Sequence, residues 1–134
     1  MSYPDPGIVL QPQSSEVSGG VATLRITGEH TLQEAVDAVT AAILRAREQG
    51  IRKLLADLTL VSGFDAPTLA ARYECVGEWA EAGRGHLRIA MVMRQEFMDP
   101  DRICVVRATN LGLDYNLFDN EQRARAWLAD PVAP

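Results

Sequence analysis

Residues 54–68, near the middle of the chain, read LLADLTLVSGFDAPT. The first five of these residues place apolar side chains on both faces of a strand, which is typical of a central strand in a parallel sheet. Pro67 suits the first turn of a helix, with Asp65 or Ala66 as the N-cap. We therefore predict a buried strand that leads through a short loop into a helix.

Upstream of this stretch, the sequence predicts a β-hairpin and a capped helix. A strand that starts at residue 8 is expected to turn at Gly19-Gly20, because paired glycines tolerate a positive φ. Residues 21–27 alternate between apolar and polar side chains, as a half-buried strand does. Thr31 and Glu34 match a capping box, in which the two side chains satisfy free backbone N–H groups at the start of a helix.

Downstream, strands and helices continue to alternate. The helix after Pro67 is predicted to bury one face, which consists of Leu69, Tyr73, Val76 and Ala80, with Trp79 on its flank. A strand at residues 87–93 follows, and Asp99-Pro100 is predicted to open the next helix. A last strand at residues 115–118 precedes a helix capped by Asn120, in which Trp127 and Leu128 are expected to be buried.

The predicted order is ββαβαβαβα. This order indicates the α/β class: a single domain in which an N-terminal β-hairpin is followed by alternating βα units, forming a mostly parallel sheet covered by helices. The 134 residues suffice for one domain. We place it at residues 8–130, between a flexible arm at residues 1–7 and a tail at residues 131–134.

Composition narrows the function classes. Hydrophobic residues make up 47% of the chain and charged residues 23%, values typical of a globular protein rather than a disordered one. The net charge of −5 disfavours nucleic acid as a partner. No apolar run approaches the ~18 residues of a membrane helix, and no signal peptide is recognisable. Two cysteines without metal-ligand spacing suggest reduced thiols, so we expect a cytoplasmic protein.

No constellation of residues indicates an enzyme, a metal or a cofactor. The chain has no P-loop, no HExxH motif and no GxSxG motif. His30 and His86 are interpreted as solvated loop histidines, and Cys75 and Cys104 as inert thiols. We therefore expect no catalytic residues, no bound metal and no cofactor.

The candidate binding residues lie where the central strand leaves the sheet, because open α/β sheets bind ligands at the carboxyl ends of their strands. They are Ser62, Gly63, Phe64, Asp65 and Thr68, with Arg94 from the end of the neighbouring strand. The purely structural interpretation has equal weight: Asp65 caps the helix, Gly63 makes the turn, and Phe64 covers the core.

Several of these features together resemble the STAS domain, found in sulfate transporters and anti-sigma-factor antagonists. They are the hairpin, the capped helix, the strand that ends Leu55-Ala56-Asp57-Leu58, and Asp65 eight residues after Asp57. The C-terminal third is similar to a divergent bacterial STAS-like group. The residues that carry this similarity are Ala108-Thr109-Asn110-Leu111-Gly112-Leu113, Leu117-Phe118-Asp119 and Ala124-Arg125-Ala126-Trp127-Leu128.

The resemblance covers residues 8–129 and implies a regulatory function. In the antagonists, the loop after the central strand reads Asp-Ser-Ser-Gly and carries a serine that a kinase phosphorylates. The equivalent run here is Asp65-Ala66-Pro67-Thr68, so the acceptor position falls on Pro67, which has no hydroxyl. The resemblance therefore implies a STAS-like module without this phosphoacceptor.

Three functions follow from these observations. The first is a non-catalytic interaction or regulatory module that binds a protein partner. The alternative is a domain that binds a small molecule or a lipid in a pocket at the carboxyl ends of the strands, and an unrecognised enzyme comes third. A homodimer is expected as well, because the chain has an edge hairpin and symmetric dimers are the commonest oligomers.

Overall fold

The structure is a computed structural model that describes residues 13–98 and 101–130. The predicted arm, the predicted strand start at residue 8, the Asp99-Pro100 helix start and the tail lie outside these residues. The strands are β1 (Gln13–Ser18), β2 (Val21–Glu29), β3 (Lys53–Ser62), β4 (Arg88–Val92) and β5 (Asp114–Phe118). The helices are α1 (Leu32–Glu48), α2 (Leu69–Gly83), α3 (Ile103–Asn110) and α4 (Glu121–Ala129), with a 3-10 turn at Gln95–Phe97.

The strands form one sheet in the order β1-β2-β3-β4-β5. The hairpin pair β1 and β2 is antiparallel, and every later pair is parallel. This arrangement confirms the predicted α/β class, with its N-terminal hairpin and mostly parallel sheet. The central strand β3 lies between β2 and β4, as the apolar run at residues 54–58 predicts.

Helices α1, α2 and α3 cover one face of the sheet, which we call the apolar face. Alternate residues of the strands project into this layer and are buried there together with residues of the three helices. The strand residues are Leu24 and Ile26 on β2, Leu54, Ala56 and Leu58 on β3, Ile89 and Met91 on β4, and Tyr115 and Leu117 on β5.

Helix α4 covers the opposite face, which we call the α4 face. Its buried core is small and contains Leu55, Ala90, Val92, Ala124 and Leu128. Of the two predicted anchors of α4, Leu128 is buried, whereas Trp127 is only partly buried. The Trp127 ring packs against Phe118 and lies under the guanidinium of Arg88.

The predicted cap of α1 is confirmed, and the predicted cap of α2 is wrong. The Thr31 hydroxyl accepts a hydrogen bond from the Glu34 backbone N–H, and the Glu34 carboxylate accepts one from the Thr31 N–H. The N-cap of α2 is Thr68, whose hydroxyl accepts from the Ala71 N–H. Asp65 and Pro67 therefore precede the helix, because a threonine directly before the first turn supplies the cap oxygen.

The buried face of α2 also differs from the prediction. Val76 and Ala80 are buried as expected, and Trp79 joins them at 6% exposure. Leu69 and Tyr73, however, are 51% and 37% exposed. The buried residues belong to the later turns of the helix, so its first turns lie outside the core and leave their apolar side chains open to solvent.

Candidate functional site

The predicted binding loop, residues 62–68, lies at the carboxyl edge of the sheet between β3 and α2. Ser62, Gly63, Asp65 and Thr68 are exposed, and Phe64 is half-buried against the core of the apolar face. The loop thus presents polar groups to solvent while one aromatic ring fixes it to the core. Both interpretations of Phe64 hold in part, since the ring is neither free nor fully covered.

A close contact between backbones holds the start of this loop. Gly63 has a φ of 108°, and a Cβ atom at this position would lie 2.2 Å from the backbone oxygen of His30. Glycine is therefore required here for both conformation and space. The His30 backbone N–H also donates to the Ser62 carbonyl oxygen at 2.8 Å.

His30 itself is buried, so its interpretation as a solvated histidine is wrong. Its Nε2 atom lies 3.0 Å from the Thr27 carbonyl oxygen, and its Nδ1 atom lies 3.7 Å from a carboxylate oxygen of Glu34. Because a carbonyl oxygen only accepts hydrogen bonds, we assign a proton to Nε2. The ring fastens the turn after β2 instead of offering a free base.

Arg94 lies beside the loop, as the sequence predicts, and fixes the end of β3. Its Nη1 atom donates to the carbonyl oxygens of Thr59 at 3.0 Å and Val61 at 2.8 Å. Its Nε atom donates to Glu96 at 3.2 Å, and the guanidinium carbon lies 4.6 Å from the centre of the Phe97 ring. These contacts connect the segment after β4 to the end of β3.

Arg72 and Phe97 belong to the same site, although the sequence analysis did not identify them. The Arg72 Nε atom donates to the Pro67 carbonyl oxygen at 2.9 Å, and its Nη1 atom donates to the Phe97 carbonyl oxygen at 2.7 Å. The Phe64 and Phe97 ring centres are 5.8 Å apart. Arg72 therefore joins the loop at 62–68 to the segment at 94–97, which no local sequence signal indicates.

An apolar cavity lies beneath these two segments, inside the apolar face. Its lining comes from α1, α2, α3, the strand ends and both segments. The lining residues are Leu32, Ala35, Val36, Leu58, Val61, Phe64, Pro67, Arg72, Cys75, Val76, Trp79, Met93, Phe97, Cys104, Tyr115 and Leu117. The cavity therefore shares Phe64, Pro67 and Phe97 with the surface above it.

The Cys75 thiol in this region is not activated. Burial raises the pKa of Cys75 to about 11, with a smaller contribution from Glu78, so its thiol is protonated at neutral pH. A protonated thiol is a poor nucleophile, which agrees with its interpretation as inert.

Within residues 13–98 and 101–130, no group of three potential ligand side chains is placed to hold a metal ion. No helix in this part of the chain has the length and apolar character to cross a membrane.

A second polar cluster lies on the α4 face. Arg25 forms ion pairs with Asp57 at 2.9 Å and with Glu121 at 2.7 Å. Arg125 also donates to Glu121, at 2.8 Å, and to the Thr23 hydroxyl at 3.2 Å. The hydrogen bonds from Arg25 lower the pKa of Glu121 to about 2; burial opposes them with the next-largest effect, and the hydrogen bond from Arg125 adds to the lowering. The cluster fastens the first turn of α4 to β2 and β3.

Comparison with known proteins defines the fold. No model of a protein family matches the sequence, and no curated protein matches it. Among solved structures, an anti-sigma factor antagonist from Mycobacterium paratuberculosis is 18% identical, with a TM-score of 0.55 over 88% of this chain and 93% of that chain. An uncharacterised protein from Shewanella loihica with a SpoIIAA-like fold is 16% identical, with a TM-score of 0.51 over 87% of this chain and 92% of that chain.

Proposed function

We propose that this chain, a domain with the STAS-like fold, is a non-catalytic regulatory module that binds another protein through the loop at residues 62–68. The fold is shared over 88% of the chain with a protein described as an anti-sigma factor antagonist. The name of that protein describes an antagonist of another protein, an anti-sigma factor. Because the sequence identity is low, the similarity shows the fold alone. The binding surface is therefore chosen from this chain's own residues.

The observation that carries the proposal is a rigid loop with an exposed polar edge. Arg94 and Arg72 fix the backbone on both sides of the loop, and the Gly63 contact with His30 fixes its start. A surface that is already ordered loses little conformational entropy when a partner binds. The exposed groups of Ser62, Asp65 and Thr68 then supply polar contacts around the half-buried Phe64.

Binding at this loop is expected to be independent of phosphorylation at residue 67. Pro67 has no hydroxyl, and the neighbouring Thr68 hydroxyl already accepts the Ala71 N–H as the cap of α2. A phosphate on Thr68 would therefore alter a helix cap before it altered a contact surface. We expect regulation to occur by another route than the serine switch that the resemblance describes.

The experiment is affinity capture from host lysate with quantitative mass spectrometry, using two matched charge reversals. Asp65→Arg changes the exposed loop, and Glu48→Arg makes the same change at the exposed end of α1. A reversed charge within an interface costs several kcal/mol, whereas one outside it has little effect. We expect partners enriched by the wild-type protein to be retained by Glu48→Arg and reduced at least about tenfold by Asp65→Arg.

Circular dichroism and a thermal melt first verify that both variants fold. Equal recovery of the same partners by Asp65→Arg and the wild-type protein would contradict the loop as the binding surface. Loss of the partners from Glu48→Arg alone would place the interface at the other end of the molecule. A homodimer and a cytoplasmic location remain predictions, and sedimentation velocity at micromolar concentrations tests the first.

A second candidate function, binding of a small apolar molecule, is favoured by the cavity beneath the loop. It differs from the first in the surface that it uses, since the ligand enters the core of the apolar face while the partner contacts the outer side of the loop.

A further inference from the structure

The cavity of the apolar face combines a deep apolar wall with a partly open rim. Val36, Val61, Val76 and Leu117 are almost completely buried and form part of the wall. On the rim, Phe64, Pro67 and Phe97 are only partly buried. The rim at these two segments is therefore the part of the cavity nearest to solvent.

The size of the cavity limits what it holds. Its volume is about 70 Å³, roughly five times the ~15 Å³ that a single water molecule requires. A wall of aliphatic and aromatic side chains offers water few hydrogen bonds, so an apolar occupant is favoured over several waters. This volume is less than half of the ~150 Å³ of an engineered cavity that binds benzene, so a compact ring would occupy the cavity only with part of the molecule in the rim, and a long acyl chain would not be enclosed.

Tyr115 supplies a polar group within this apolar wall. The side chain is 4% exposed and lines the cavity. Burial raises the pKa of Tyr115, so the hydroxyl stays protonated and available as a donor. The groups that act electrostatically on this hydroxyl, Cys75, Cys104 and Arg72, all line the cavity as well. A hydroxyl in the wall of the cavity can therefore donate a hydrogen bond to a ligand that enters it.

We infer that this cavity binds a compact, uncharged, mainly apolar molecule that carries one hydrogen-bond acceptor, which Tyr115 donates to. An uncharged ligand is favoured because Arg72, the cation at the rim, already donates to the carbonyl oxygens of Pro67 and Phe97. This inference rests on the second candidate function, the binding of a small apolar molecule, and is separate from the protein-binding function, since it uses the interior of the apolar face rather than the exposed residues of the loop.

The test uses two probes of nearly the same shape, acetophenone and α-methylstyrene, which differ by a carbonyl oxygen in place of a methylene group. Binding to the full chain is followed by ¹H–¹⁵N NMR through the two indole N–H signals. Trp79 lines the cavity, whereas Trp127 packs against Phe118 and Arg88 on the α4 face. We expect both probes to move the Trp79 signal and to leave the Trp127 signal in place.

The Tyr115→Phe variant tests the hydrogen bond separately from cavity filling. We expect the variant to bind acetophenone roughly five-fold more weakly than the wild type does, which is the effect of one neutral hydrogen bond. Its affinity for α-methylstyrene should be unchanged. Ala35→Leu places a larger side chain in the cavity wall and should weaken both probes equally. If Ala35→Leu does not fold, the affinities of the two probes for the wild type and for Tyr115→Phe still test the hydrogen bond.

Three further outcomes would overturn the inference. The first is an unmoved Trp79 signal with both probes up to their solubility limits. The second is equal weakening of the two probes by Tyr115→Phe, because the hydroxyl would then not discriminate between them. The third is tighter binding of benzoate or decanoate than of acetophenone, because the site would then select a charge or an acyl chain. The charge reversals at Asp65 and Glu48 test the protein-binding function independently of these results.

Discussion

The apolar face and the α4 face of the same sheet are stabilised by different interactions. Under α1, α2 and α3, alternate strand residues form one continuous apolar layer. Under α4, a small apolar cluster is supplemented by ion pairs from Arg25 to Asp57 and Glu121. Burial of apolar surface is strong and non-directional, whereas exposed ion pairs contribute little free energy but fix an orientation. The apolar face therefore carries most of the stability, and the α4 face positions one short helix.

The largest effect is expected on the apolar face. Ile89 lies on the inner strand β4 at 1% exposure, and Ile89→Ala leaves a hole that neighbouring side chains fill only in part. We expect the free energy of unfolding to fall by about 4 kcal/mol. Val106→Ala, at a position 56% exposed on α3, should change it by less than about 0.5 kcal/mol. Urea denaturation of both variants measures the difference, and similar values for the two would contradict the assignment of this core.

An intermediate effect is expected for the apolar anchor of α4. Leu128 is 1% exposed but belongs to a much smaller cluster than Ile89 does. We expect Leu128→Ala to lower the free energy of unfolding by about 3 kcal/mol, since a cavity at the edge of a small cluster collapses more readily. Arg123→Ala, at an exposed position of the same helix, is the control. A loss at Leu128 greater than that at Ile89 would reverse the ranking of the two faces.

The smallest effect is expected for the polar cluster, and it depends on pH. The folded-state pKa of Glu121 is about 2, below its usual value of 4.5. Its stabilising contribution is therefore complete above pH 4.5 and is lost as the pH falls towards 2. Because the Glu121 side chain is 33% exposed, solvent screening reduces this contribution to about 1 kcal/mol.

The matched variant for this prediction is Glu121→Gln, which keeps the shape of the side chain and removes its charge. We expect it to be less stable than the wild type at pH 7, with most of this difference gone at pH 2, as measured by denaturation across this range. The difference at pH 7 should shrink in 1 M salt, because salt screens exposed charges. A difference that is independent of pH would show that packing, and not charge, holds the first turn of α4.

The comparison of the two faces also explains what the sequence predicted. Hydrophobic periodicity and local caps identified the strands of the apolar face and the capping box at Thr31 and Glu34. Arg25 and Glu121 are 96 residues apart, so no local pattern connects them. Separation along the sequence also explains why no local pattern indicated the contact of Gly63 with His30 or the hydrogen bonds by which Arg72 joins residues 62–68 to residues 94–97.

Two local signals were ambiguous and led to errors. Pro67 favoured Asp65 or Ala66 as the cap, whereas the hydrogen bond from the Ala71 N–H identifies Thr68 as the cap. The apolar spacing from Leu69 onward fits a buried face, but burial depends on whether the sheet extends beneath each turn. The sequence analysis offered a pocket at the carboxyl ends of the strands as an alternative, but the lining and the size of the cavity were not predictable, because they result from space that side chains leave unfilled.

The central claim is that the carboxyl edge above the apolar face is functional, whereas the α4 face is structural. The most direct test is hydrogen–deuterium exchange of the complex that the protein forms with its partner, purified from the host, compared with the free protein. We predict slower exchange at residues 62–68 and 94–97, with no change at residues 119–129. Slower exchange confined to residues 119–129, with the loop unchanged, would contradict the claim.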